Sequence, residues 1–160
     1  MIRIFLVLLL SISPIISFAQ EKLSAEEKKL VERIEKNYQE TQALLEEVIN
    51  INSGSLNLEG VREVGRVFER EFQKIGFQTE WVDVPAEVRR AGHFVATRTG
   101  TKGKKLFLIG HLDTVFEKDM PFTPFTWFND STATGQGAND MKQFPALIKR
   151  NTLLLYRLTR

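Results

Sequence analysis

Two helical stretches followed by three strand candidates predict an α/β domain in which helices flank a central sheet. Three observations carry that expectation. Apolar residues recur at helical spacing from Leu30 to Val48 and again from Val61 to Ile75. A period-two alternation starts at Phe77. Leu106-Phe107-Leu108-Ile109 is apolar throughout, as a strand buried on both faces should be.

The elements follow in order. Ser24-Ala25-Glu26-Glu27 matches a capping box, which satisfies free amides at a helix start. A long amphipathic helix is expected from there to about Ile49, with Leu30, Ile34, Tyr38, Leu44, Leu45 and Val48 near one side. Asn50 to Gly60 is rich in Asn, Ser and Gly without periodicity and reads as a loop. Val61, Val64, Phe68, Phe72 and Ile75 mark a second helix, with Gly76 as its C-terminal stop. Phe77 to Val84 sets Phe77, Thr79 and Trp81 against Gln78, Glu80 and Val82, so one face of this strand should meet solvent. Phe94 to Thr99 is a short second strand. Gly100-Thr101-Lys102-Gly103 is a turn into the apolar run at Leu106. Glu117 to Thr132, with Pro121, Pro124 and four aromatic residues, is expected to be a loop covering the mouth of a site.

At 160 residues the chain has room for one domain. Its apolar content of 42% and charged content of 26% are those of a globular protein. A net charge of +2 gives no reason to expect nucleic acid or an anionic membrane as a partner. The charge is unevenly placed: no Asp or Glu follows Asp140, whereas Lys142, Lys149, Arg150, Arg157 and Arg160 do. The absence of cysteine excludes a disulfide framework.

Residues 1–19 read as a secretory signal peptide. Arg3 is a basic start, Ile4 to Leu10 is continuously apolar, and Ser17-Phe18-Ala19 places small residues where a signal peptidase inspects them. The alternative is an uncleaved anchor, but Ser11, Ser13 and Pro14 interrupt a run that would need about 20 apolar residues to span a bilayer. The expected product is exported, periplasmic or secreted, without stable membrane association after cleavage.

Two short motifs carry chemistry. Gly110-His111-Leu112-Asp113-Thr114-Val115 closes the apolar run, and Gly135-Gln136-Gly137-Ala138-Asn139-Asp140-Met141-Lys142 follows. A histidine just past a buried strand stands where ligands bind in open α/β sheets. A neutral imidazole is a good zinc ligand, provided that an acceptor holds its second nitrogen. Asp113, one strand period on, could be that acceptor. Asp140 follows a glycine turn that permits a close approach, and its two oxygens could bridge two cations. Each residue alone has a plainer reading as a polar side chain meeting solvent, which is how His93 is read. Gly135-x-Gly137 lacks the third glycine of a dinucleotide turn. The joint, ordered occurrence of His111, Asp113 and Asp140 favours the metal.

Together with the loop Ile51-Asn52-Ser53-Gly54-Ser55, these motifs closely resemble the co-catalytic, dinuclear zinc metallopeptidase family of glutamate carboxypeptidases, aminoacylases and succinyl-diaminopimelate desuccinylases. The resemblance runs from about Leu44 to Lys142, and the glutamate carboxypeptidase type looks nearest. It implies that residues 20–142 form an incomplete N-terminal part of a catalytic domain with a central mixed sheet. It implies an exported hydrolase of peptide or N-acyl amide bonds with two zinc ions, and a peptide or N-acyl amino acid as substrate. His111 and Asp140 would be metal ligands, and Asp113 would count among the catalytic residues by orienting His111. The Asp140–Met141 peptide bond would be cis.

The family pattern stops after Lys142. Gln143-Phe144-Pro145 stands where the family has two glycines, and residues 143–160 form a basic, leucine-rich tail. The family's catalytic Glu and its remaining metal ligands have no counterpart in this sequence. The chain therefore reads as truncated and inactive alone; the alternatives are a non-catalytic binding module or the remnant of a frameshifted gene. The signal-peptide reading gives a direct test: exported protein should begin at Gln20 by mass spectrometry, and an intact Met1 would overturn it.

Overall fold

The computed structural model describes residues 23–101 and 103–141. The signal-peptide reading of residues 1–19 and the tail reading of residues 143–160 lie outside the described residues. Three helices lead: α1 (Ala25–Lys36), α2 (Tyr38–Ile49) and α3 (Leu58–Lys74). A two-stranded antiparallel sheet of β1 (Gln78–Val82) and β2 (His93–Thr97) follows. A second antiparallel pair, β3 (Thr126–Asn129) and β4 (Thr132–Thr134), precedes the short helix α4 (Ala138–Met141).

The capping box at Ser24 is present: Glu27 N–H donates to Ser24 Oγ, and Ser24 N–H donates to Glu27 Oε2 at 2.7 Å. The Ser24 amide, and then its hydroxyl, hold the Glu27 carboxyl below its ordinary value. A carboxyl lowered in the folded state stabilises above its unfolded pKa, and that contribution is lost as pH falls through the folded one. The single helix expected over residues 25–49 is instead two. Asn37 leaves helical geometry (φ −94°, ψ 6°) between them, and its carbonyl accepts from both the Thr41 amide and the Thr41 hydroxyl. Asn is a weak helix-interior residue, and α1 buries no side chain that could hold the two segments in line.

The core lies between α2 and α3. Leu44, Val48 and Ile49 from α2 meet Val64, Val67 and Phe68 from α3, with Phe125 and Met141 completing the cluster. Arg70 on α3 reaches back to Glu47 on α2 with two hydrogen bonds, 3.0 and 2.6 Å. The other side of α3 receives the β1–β2 hairpin. Trp81 lies on Gly65, donates its indole N–H to the Ala91 carbonyl at 2.7 Å, and has the Arg62 guanidinium 5.0 Å from its ring centre. Strand β1 has the one solvated face that its alternation predicts, with Thr79 and Trp81 half-buried between exposed neighbours.

Four further expectations need correction. The central mixed sheet is absent among the described residues, which form two separate antiparallel pairs and one isolated parallel bridge, Gly54 to Thr114. Leu106 to Ile109 is not a buried strand: Phe107 and Ile109 are each 84% exposed. An all-apolar strand needs cover on both faces, and among the described residues this run only borders a cleft whose other wall is β2 with Phe72, Ile75 and Phe77. The segment Glu117 to Thr132 is also less irregular than expected, since β3 and the start of β4 lie in it. The Asp140–Met141 bond is not cis; α4 carries it in helical form, with both amides donating to the Gly137 carbonyl.

A Cβ at position 65 would lie 2.3 Å from Trp81 Cζ3. Gly65→Ala should therefore destabilise the domain by about 1–3 kcal/mol through overpacking, read as a lower urea midpoint. An unchanged midpoint would mean that the hairpin does not dock on α3 as described.

Candidate metal centre

The site is built on a crossing of two loops. The Asn52–Ser55 loop, between α2 and α3, runs beside the segment that follows His111. Thr114 N–H donates to the Ser53 carbonyl at 2.8 Å, and Ser55 N–H donates to the Thr114 carbonyl at 3.1 Å. Asn52 Nδ2 donates to the Phe116 carbonyl, and Glu117 accepts the Leu56 amide. Gly54 is required here, because a Cβ would fall 2.6 Å from both the Phe116 carbonyl and Glu117 Oε2. Asn57 closes the loop at the start of α3, accepting the Gly60 amide and donating to the Asn52 carbonyl.

This crossing sets His111 and Asp113. His111 Nδ1 lies 2.8 Å from the main-chain carbonyl of Asp113 and 3.4 Å from its Oδ1. The carbonyl can only accept, so Nδ1 carries the proton and donates. Nε2, which takes no hydrogen bond among the described residues, keeps its lone pair on a ring whose side chain is 56% exposed. The Asp113 carboxylate is itself held, with Oδ2 accepting from Ser55 Oγ at 2.5 Å. Ser55 was not among the sequence-derived site residues. It stands 58 residues before Asp113, and its only advance signal was membership of the Asn-Ser-Gly-Ser loop.

Asp140 comes from the second motif. Gly137 sits at φ +76°, a conformation that favours glycine, and its Cα packs on Thr114, since an added Cβ would meet Thr114 Cγ2 at 2.6 Å. The glycine turn before Asp140 therefore touches the residue after Asp113. Asp140 is half-buried on α4, whose Met141 is anchored in the core at 1% exposure. His93 is exposed on β2 and lines the same cleft as His111.

His111 fits a zinc ligand by its own chemistry: one ring nitrogen is fixed on an acceptor and the other is free. The complete donor set does not fit. Among the described residues no three His, Cys, Asp or Glu side chains gather closely enough to hold an ion, and a catalytic zinc takes three protein ligands. No helix among them is long and apolar enough to cross a membrane.

Comparison with known proteins gives a matching direction. Carboxypeptidase G2 of Pseudomonas sp. (strain RS-16) is 33% identical to this chain over 112 residues, which is 69% of this chain and 26% of that protein. The aligned part thus spans about a quarter of the relative's length. No family model matches the chain. The similarity is to part of a carboxypeptidase.

If the two motifs are joined through Gly137 and Thr114, Gly137→Ala should cost about 1–2 kcal/mol for the left-handed backbone plus the clash with Thr114. Thr114→Ser, which removes the offending methyl, should restore only the second part. Urea unfolding of the single and double variants reads both contributions; equal stabilities for Gly137→Ala with and without Thr114→Ser would break the junction.

Proposed function

We propose that this chain carries the His111 part of an exported, zinc-dependent hydrolase that cleaves peptide or N-acyl amide bonds in the manner of a glutamate carboxypeptidase. The observation that supports it is the contact of Gly137 with Thr114, which makes neighbours of the segments bearing His111, Asp113 and Asp140. The partial likeness to Carboxypeptidase G2 points to the same chemistry. His111 would hold zinc through Nε2, and Asp140 would supply a carboxylate oxygen. Asp113 would orient the imidazole from its Nδ1 side. Zinc, when bound, would polarise an amide carbonyl and acidify a water. A peptide or N-acyl amino acid is the substrate class, with no role for nucleic acid.

A second reading has one observation in its favour. An apolar cleft of about 700 Å³ runs along Leu106 to Asp113 and opens beside His111. A protein that binds an apolar ligand there without turning it over would use the same walls.

The two readings separate by calorimetry with zinc. With two ligand side chains, His111 and Asp140, zinc binding should be weak and should disappear in both His111→Ala and Asp140→Ala. The 160-residue chain by itself should show no hydrolysis of a dipeptide or an N-acyl amino acid, because among the described residues no group is placed as general base, a role worth about 10²–10⁴-fold in rate. Zinc binding indifferent to both substitutions would remove the metal-centre reading.

A further inference from the structure

We propose that two copies of this chain pair as a closed dimer through residues 106–109, which meet as antiparallel strands centred on Leu108. The pairing stands apart from the metal reading and needs no ligand.

The run is shaped as a strand and lacks a neighbour. Its exposure alternates with the period of a strand: Leu106 49%, Phe107 84%, Leu108 46% and Ile109 84%. Phe107 and Ile109 thus share an outward face, while Leu106 and Leu108 are partly covered. Among the described residues, no main-chain N–H or C=O of residues 104–110 bonds to another main-chain group. An open apolar edge of this kind is a template for pairing with a second chain.

The sequence of the run selects a second copy as its occupant. Residues directly opposite each other in an antiparallel pair lie on the same face. Centring on Leu108 sets Phe107 of each copy opposite Ile109 of the other, an aromatic ring on a β-branched side chain, twice over. Centring on Phe107 would set Ile109 opposite Lys105 instead. A centre between the two residues would set Phe107 against Leu108 and mix the outward face with the covered one. Charge disfavours the parallel arrangement, because Lys104 and Lys105 precede the run and would each face their own copy. Antiparallel pairing carries them toward the end of the other copy that bears Asp113. A two-fold axis at Leu108 makes the contact closed, so it does not propagate into a fibre. Four side chains from each copy give a shared area of about 1,000 Å², the lower limit for a specific interface.

The test uses the full chain in sedimentation equilibrium over a concentration series, without added metal. The native protein should approach twice the mass of one chain. Phe107→Lys and Ile109→Lys each place a charge in the seam at a position that is already exposed. Their circular dichroism should be unchanged, and each should weaken the dimer by roughly 100-fold or more. Single cysteines read the register, in a chain that has none of its own. Leu108→Cys sets two thiols directly opposite, with Cα atoms about 4.5–5.5 Å apart, within reach of a disulfide, and should crosslink on mild oxidation. Leu106→Cys is similarly exposed but stands opposite Gly110. Its two copies lie about 13 Å apart along the strands and should stay reduced. A monomer at every concentration, whether the run is covered by residues 143–160 or by nothing, overturns the proposal. So does association that survives Phe107→Lys, growth beyond the dimer, or equal crosslinking at positions 106 and 108.

Discussion

The candidate site depends on two main-chain hydrogen bonds at one residue. Thr114 donates to Ser53 and accepts from Ser55, and this short parallel pairing ties the loop between α2 and α3 to the segment carrying His111 and Asp113. The Asn52–Asn57 turn holds the pairing from one side, through Asn52 and the Asn57 cap of α3. Gly137 abuts the Thr114 side chain from the other, and Met141 anchors that motif in the core. An isolated bridge of this kind is stable only because its flanks are fixed by buried apolar packing. Thr114 itself is 7% exposed and Ser53 1%, so the bonds do not compete with water.

What could be read in advance divides by the range of the interaction. The capping box at Ser24, helix α3 and the one-sided strand β1 follow from patterns a few residues long, and each is present. The break at Asn37 was hidden because the apolar spacing continues through it, and the deciding fact is that α1 fully buries none of its side chains, Leu30 and Ile34 being only half-buried. Leu106 to Ile109 misled for a related reason. Its composition states a demand for burial, but composition does not state whether neighbouring elements meet that demand. The β3–β4 hairpin was masked by Pro121 and Pro124, which actually precede it. Its turn lies at Asp130 and Ser131, where Asn129 Oδ1 accepts both the Ser131 amide and hydroxyl.

The site shows the same division. His111 and Asp113 lie two residues apart, and their contact could be anticipated from spacing. The role of Ser55 could not, since it requires knowing that a loop far earlier in the chain runs alongside Thr114. Asp140 is intermediate: the glycine turn before it was visible, and its seat against Thr114 depends on the core position of Met141. The described residues thus build a defined surround for one imidazole, in a chain that aligns with about a quarter of the length of Carboxypeptidase G2.

Helix α1 has a consequence of another kind. It closes its own N-terminus with Ser24 and Glu27 but contributes no buried side chain, so little tertiary free energy opposes its opening. Such segments unfold locally without the rest of the domain. Lys28, Lys29, Arg33 and Lys36 all face solvent on it, which makes this stretch the natural point of entry for a trypsin-like protease. Limited digestion would then trim the chain back toward α2 while the α2–α3 core and the Thr114 crossing stay whole, and amide exchange would be fastest across the same residues.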